Sequence, residues 1–514
     1  MRRIGRRSLL TTGAAAGVLA ATGLPLRAAP TRSGTLRLGL SGASPFDSWD
    51  SRTHRDNFMI MAAHGAVFDT LTQVAASGEL IGELAESWRA TSDALVWTFK
   101  LRKGVQFHSG KAFVAEDVIG SLQLHMDVTD QSPALPIVSS IAEMRKINAH
   151  EVEITLTAPN ADFPFLLADY HLCIYPAEQA ELAMITGNGT GLYQVESFEP
   201  GVNLRLKRVE SHYKDGKEGW FNEVELIAFD DETERVTALL EGQVHAIDRL
   251  PPHRVPLVQS ERRLQLSEVT GNQHLSFPML TNIAPFDDMN LRKALKHAVD
   301  RPGLVQHVLQ GHGAVANDTP IGPANQFFAK DIPVASYDPD RARHYLAKAG
   351  LAGLRLDLSV ANHQYPGALK AALLYQETAK AAGIDINVKR ESDSTYLTDV
   401  WRQKPWCTCI WSGRLTEDWM LSTMSQTGAP WNDTLWDNAQ YQDLLLSARS
   451  ELDTAKRRSM YHDLQHLMAL EGGAVVPVYA NYLDAHSSKL RNSGAVGNVF
   501  NMDNARLIER WWFG

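Results

Sequence analysis

Leu84-Ala-Glu-Ser-Trp88, Leu101-Arg-Lys-Gly-Val-Gln-Phe-His-Ser-Gly110 and Ala115-Glu-Asp-Val118 are the stretches on which the reading of the fold turns. Just before the second of them, Trp97-Thr-Phe-Lys-Leu101 alternates apolar and polar side chains, the period-2 pattern of a half-buried strand. From Lys103 to Gly110 two glycines break that period and the chain turns. Ala115-Glu-Asp-Val118 then opens a helix that the pattern carries through His125.

Outward from this point the alternation of strands and helices continues, which makes the chain α/β. Upstream, Leu36 to Leu40 reads as a short strand leading into the turn-rich Ser41 to Asp50, and Arg55 to Leu71 as a helix with Met59, Ala62, Ala63, Ala66, Val67 and Thr70 on one broad face. Downstream, Glu151 to Thr157 is a strand, Gly187-Asn-Gly-Thr-Gly191 a turn, and Tyr193 to Phe198, Asn203 to Arg208 and Val224 to Phe229 are three further strands. The second half repeats the alternation with new elements, as a second α/β lobe would. Helices are predicted over Asn290 to Val299 and on to Leu309, from Asp338 to Gly350, over Gly367 to Ala382, Ser394 to Gln403 and Thr454 to Leu470. Strands are predicted over Leu354 to Val360, Ile384 to Arg390, Cys407 to Trp411 and Val475 to Tyr479.

The 514 residues carry 50 basic and 59 acidic side chains, a formal net charge of −9. That balance gives no electrostatic footprint for nucleic acid, and the length implies two or three domains with cores of their own. Residues 1–29 differ in kind: five Arg, no acid, and Arg6-Arg7-Ser8-Leu9-Leu10 running into an Ala-rich apolar stretch that ends at Ala28-Ala29. A paired Arg there reads as a twin-arginine export signal, and export would place the protein in the periplasm.

A search for chemistry finds little. Cys173, Cys407 and Cys409 are too few for a disulfide framework. Cys407 and Cys409 would share one face of a strand, as two small buried hydrophobes or as a metal or redox pair. His462 and His466 have metal-ligand spacing on one helix face, but Tyr461, Leu464, Leu467 and Met468 make the same stretch a packing surface and no third ligand lies near. Gly187 to Gly191 lacks the Lys-Ser/Thr of a phosphate loop, and no nucleophile elbow or zinc-protease motif is present. The expectation is therefore no catalytic residues, no metal and no cofactor.

The opening stretches, followed in order by Gly189-Thr-Gly-Leu-Tyr193, Pro285-Phe-Asp-Asp288, Leu291-Arg-Lys-Ala294 and Ala298-Val-Asp-Arg301, resemble the extracytoplasmic solute-binding proteins of peptide-type ABC importers, the dipeptide and oligopeptide class of family 5. The resemblance implies an α/β two-lobed periplasmic-binding-protein fold with hinge strands and an extra subdomain in the first lobe. On that pattern residues 30–57, 184–270 and 481–514 form the first lobe, 58–183 the inserted subdomain and 271–480 the second lobe. It further implies a monomer that captures a peptide or peptide-like solute, closes around it and delivers it to a membrane permease. The same fold would serve an anionic non-peptide solute such as an opine or sugar acid, or a sensory binding protein; an exported enzyme is the reading from another class.

One departure stands out, at Trp411-Ser-Gly-Arg-Leu-Thr-Glu-Asp-Trp419. Peptide-binding relatives usually place Asp after the Gly, against the peptide's α-ammonium, whereas this chain has Arg414, whose planar fork suits a carboxylate. Arg414 either meets the solute or pairs with Glu417 or Asp418 inside its own loop; either acid is also a shifted partner for an ammonium. Six of the twelve tryptophans, Trp401, Trp406, Trp411, Trp419, Trp431 and Trp436, fall in this region and suit the walls of a cleft. The candidate ligand-binding residues are Trp411, Ser412, Gly413, Arg414, Asp418, Trp431, Asn432, Thr281 and Asn282, with Asp47 from the turn-rich loop after the first strand as either a ligand group or a turn residue.

Overall fold

Two long strands, Leu264–Pro278 and Ala474–Ser487, lie side by side and antiparallel and tie the molecule together. The computed structural model describes residues 30–130, 132–351, 353–361 and 367–514, so the export signal read at residues 1–29 lies outside the described residues. Along the strand pair the register slips once in the middle. Val269 faces Tyr482 and Gln273 faces Ala480, which leaves Thr270, Gly271 and Asn272 bulged opposite Asn481. On one side of this bulge the pair continues into strands Ala246–Ile247, Thr35–Leu40, Glu223–Ala228, Asn203–Arg208 and Tyr193–Glu199; on the other it carries Cys409–Trp411 and Gly313–Val315.

The two ends pack into separate cores, which makes the molecule two-lobed. The first is built on Leu36, Leu38, Trp49, Phe58, Tyr175, Leu204, Leu226 and Trp511, all buried. The second gathers Leu275, Phe277, Leu291, Leu295, Leu358, Tyr375 and Trp406 around the crossover strands and the parallel pair Arg355–Val360 and Asp385–Arg390. A third core belongs to the four-stranded antiparallel sheet Ala85–Ala90, Val96–Leu101, Glu151–Leu156 and Ile141–Asn148, covered by helix Ala115–Gln123. Alternation in Val96–Leu101 puts Trp97, Phe99 and Leu101 into that core as read from sequence, and Gly104 and Gly110 take the left-handed conformations the turn requires.

Three readings of elements need correction. The helix expected over Arg55 to Leu71 is one α-helix, Asn57–Ala62, continued by a wider turn over Ala63–Val67, and every residue of both is buried, so it has no exposed face to produce a helical period. The helix expected over Ser394 to Gln403 shrinks to Tyr396–Asp399 because the Tyr396 hydroxyl is tied to the Ser359 and Thr408 carbonyls and Arg402 turns left-handed. The strand expected over Val475 to Tyr479 runs on to Ser487, since its partner Leu264–Pro278 lies alongside the whole way. No helix of the described residues is long and apolar enough to cross a membrane.

Candidate functional site

Strand Cys409–Trp411 pairs with Ser276 to His274 of the crossover strand and releases its chain into the loop Ser412 to Thr416. Thr416 then caps helix Glu417–Ser425, its hydroxyl accepting the Trp419 N–H at 3.2 Å. The loop is seated directly on the crossover bulge. A Cβ on Gly413 would lie 1.7 Å from Cγ of Asn272, so only glycine fits. Asn272 Nδ2 donates to the Arg414 carbonyl at 3.2 Å, and the Tyr482 hydroxyl donates to Asn272 Oδ1 at 3.0 Å. One residue from each crossover strand thus holds the loop.

The side chain of Arg414 leaves this loop into a cage of indoles. Its guanidinium carbon is 5.8 Å from the ring centroid of Trp411, 5.6 Å from Trp419 and 6.0 Å from Trp431. Trp411 is buried and its Nε1–H donates to Asp433 Oδ2 at 2.9 Å; Trp431 is half exposed and meets Trp401 edge-on. Nη1 of Arg414 donates to the Ser412 and Gly413 carbonyls at 3.1 and 3.3 Å. Burial draws the guanidinium below its ordinary pKa, opposed by the nearby Tyr170, Asp169 and Tyr482. Asp169 is already engaged, accepting from both the Nδ1 and the backbone N–H of His171.

The alternative partners of Arg414 inside its loop are committed elsewhere, which corrects that expectation. Glu417 Oε1 accepts the Phe327 N–H at 2.7 Å, and burial pushes its pKa up to about 7. Asp418 is gripped by Arg449 Nε at 3.1 Å to both oxygens, so it turns into the helical packing rather than toward the cage. Among the remaining candidates, Asn432 braces the Thr434 turn with its Oδ1, and Thr281 donates its hydroxyl to the Thr434 carbonyl; both are scaffold beneath the Trp431 loop. Ser412 and Asn282 are exposed. Asp47 Oδ2 accepts the Ser44 N–H at 2.8 Å, the bond a turn residue makes. The structure therefore brings together Trp411, Ser412, Gly413, Arg414 and Trp431. Sequence reading missed Asn272, Tyr482 and Tyr170, whose only signal is Gly271-Asn272 interrupting a strand.

Other clusters resolve as architecture. The carboxylates of Asp69, Glu83 and Glu509 converge as metal ligands would, but Lys214 Nζ stands among them at 3.0, 2.7 and 2.7 Å and Arg506 bridges Glu83 and Glu509. Cys407 and Cys409 are free and buried, with their thiols raised in pKa by burial. His466 bonds Asp331 on the surface. A cavity of about 690 Å³ opens elsewhere on the second lobe, beside Lys296, Tyr345 and Leu467, and shares no residue with the cage.

Three comparisons place this architecture. A family model described as "Bacterial extracellular solute-binding proteins, family 5 Middle" matches residues 79–433. The "Dipeptide-binding protein" of Escherichia coli (strain K12) is 26% identical over 356 residues, 62% of this chain and 65% of that protein. The chain spans about three fifths of the length of the curated relatives it matches. Among solved structures, the periplasmic binding protein DppA from Helicobacter pylori in complex with peptide STSA superposes with a TM-score of 0.75 at 21% identity, over 93% of this chain and 98% of that one. The PBP AgaA from A. tumefacien R10 in complex with agropinic acid gives 0.76 at 23%, over 94% and 99%.

Proposed function

Because this chain belongs to the bacterial extracellular solute-binding proteins of family 5, we propose that it captures a peptide or peptide-like solute outside the cytoplasmic membrane and hands it to the permease of an ATPase-driven importer. The observation that carries this reading is the seat of the indole cage. Asn272 and Tyr482, one from each crossover strand, hold the loop that presents Arg414, so a rotation of the lobes about those strands moves Tyr170 and Asp169 relative to the cage. Closure has its own contacts. Arg457 of helix Thr454–Glu471 pairs with Asp162 at 2.7 Å, and the Ala161 N–H donates to the Arg449 carbonyl at 2.7 Å, joining the inserted sheet's end to the second lobe.

On this reading the lobes divide as the sequence suggests: residues 30–57, 184–270 and 481–514 with the insertion 58–183 against 271–480. Export follows the twin-arginine signal into the periplasm, and the protein works as a monomer without turning its solute over. The names borne by relatives, a dipeptide-binding and a heme-binding protein among them, support capture of a small solute and differ as to which.

The test is thermal unfolding against di- to pentapeptides, N-acetylated and acidic peptides, opines and sugar acids. A ligand at about a hundred times its dissociation constant adds about 2.7 kcal/mol of stability. Stabilisation by at least one class is expected; silence across all of them contradicts solute capture.

A further inference from the structure

Arg414 is a cation that has walls and, among the described residues, lacks an ion-pair partner. Among the described residues it enters no ion pair: Glu417 serves the Phe327 amide, Asp418 serves Arg449, Asp169 serves His171, and Asp433 serves the Trp411 indole. Arg414 is half-buried, so it has given up part of its hydration, and the indole faces return only some of that.

The remaining hydrogen-bonding capacity has a direction. Nη1 is folded back on the Ser412 and Gly413 carbonyls, and Nη2 and Nε make no hydrogen bond with any described residue. Those two nitrogens form one edge of the planar fork, which matches the two oxygens of a carboxylate. The loop that sets the edge is fixed by the Gly413 contact with Asn272, so the fork is aimed before any solute arrives.

Resting on the solute-capture reading above, we propose that the solute carries a carboxylate, or a like planar oxyanion, that docks on the Nε–Nη2 edge of Arg414, with its adjoining apolar part held against Trp411, Trp419 and Trp431. The site thereby selects an anionic end group. A free ammonium at that end meets a cation and is rejected, so blocking the amine of a peptide costs nothing there and blocking its carboxylate costs most of the binding.

Titration calorimetry on the purified protein tests this with matched probes: the dipeptide Ala-Phe, N-acetyl-Ala-Phe, Ala-Phe-amide, an N-(1-carboxyethyl) amino acid, and glucuronate with its amide. Ala-Phe against N-acetyl-Ala-Phe reads the weight of the free amine, and Ala-Phe against Ala-Phe-amide reads whether a peptide's terminal carboxylate is the group that docks. Binding of carboxylate-bearing probes is expected, with amidation and Arg414→Met each weakening it by at least about 30-fold, as loss of two charge-assisted bonds implies. Arg414→Lys, which keeps the charge and loses the fork, is expected to recover less than a tenth of the lost affinity. Equal binding of acid and amide, or full affinity in Arg414→Met, overturns the inference while leaving solute capture standing. No heat from any probe with the wild-type protein, together with no stabilisation in the wider panel, overturns both. Unchanged thermal unfolding of the variants without ligand shows that they are folded.

Discussion

Two cations, one buried and one half-buried, lie at opposite ends of a scale of satisfaction. Lys214 is buried in the first lobe and meets Asp69, Glu83 and Glu509 within 3.0 Å, with Arg506 completing the balance against Glu83 and Glu509. Burial alone would lower the Lys214 pKa, yet Asp69, Glu509 and Glu83 lift it well above its ordinary value. For Glu83, burial pulls upward and Arg506 and Lys214 together hold it well below. Arg414 has indoles for walls, carbonyls for one nitrogen and no ion pair with a carboxylate among the described residues, Asp169 acting on it only through its field. The lesson is that a buried charge whose partners are all supplied by the chain is part of the fold, whereas a half-buried one with a free hydrogen-bonding edge is open to a partner from outside.

The sharpest way to break the comparison is to remove the satisfied cation. Lys214→Met leaves Glu83 and Glu509 to Arg506 and takes from buried Asp69 its lysine partner, and urea unfolding should show a loss of about 3–5 kcal/mol. A loss below about 1 kcal/mol would mean the network is decoration. Next in size is Gly413→Ala. The added methyl collides with Asn272 and must displace either the loop or the bulge, at about 1–3 kcal/mol, and solute affinity should fall with it because Arg414 moves. Retained affinity in that variant would show that the loop is not the platform of the site.

A smaller effect concerns the support of the cage and depends on pH. Burial pushes the pKa of Asp433 up to about 7, opposed by the Trp411 N–H. The folded protein therefore binds a proton there that the unfolded chain has released, between the ordinary carboxylate value and about 7. Wild-type stability should fall as pH rises from 5 to 8 relative to Asp433→Asn, by on the order of 1–2 kcal/mol. Parallel stability curves for the two proteins would show that Asp433 does not titrate in this window.

Much of this was legible from residue patterns, and the remainder was hidden for identifiable reasons. Val96–Leu101 and the turn at Gly104 and Gly110 could be read because one face is buried and the other wet, so the period survives in the sequence. Asn57–Ala62 and its continuation are buried on every side, and the period vanishes. The crossover strand Leu264–Pro278 went unseen because Thr270-Gly271-Asn272 looks like a turn, when it is a bulge that frees Asn272 to support Gly413. The tryptophan cluster pointed to the loop that carries Arg414, whose guanidinium the structure surrounds with three of those indoles. The fates of its acids were not legible, because Glu417 and Asp418 are claimed by Phe327 and Arg449, partners that only the folded chain brings near.

The most direct measurement is the melting temperature of the ligand-free protein beside its Arg414→Met and Arg506→Met variants. If Arg414 is held for a solute and not for the fold, Arg414→Met melts at the wild-type temperature or above it, since an uncompensated charge is replaced by an apolar side chain of similar length, while Arg506→Met melts many degrees lower. A fall in Arg414→Met comparable to that in Arg506→Met would contradict the account, because the cation in the cage would then be as structural as the one in the core.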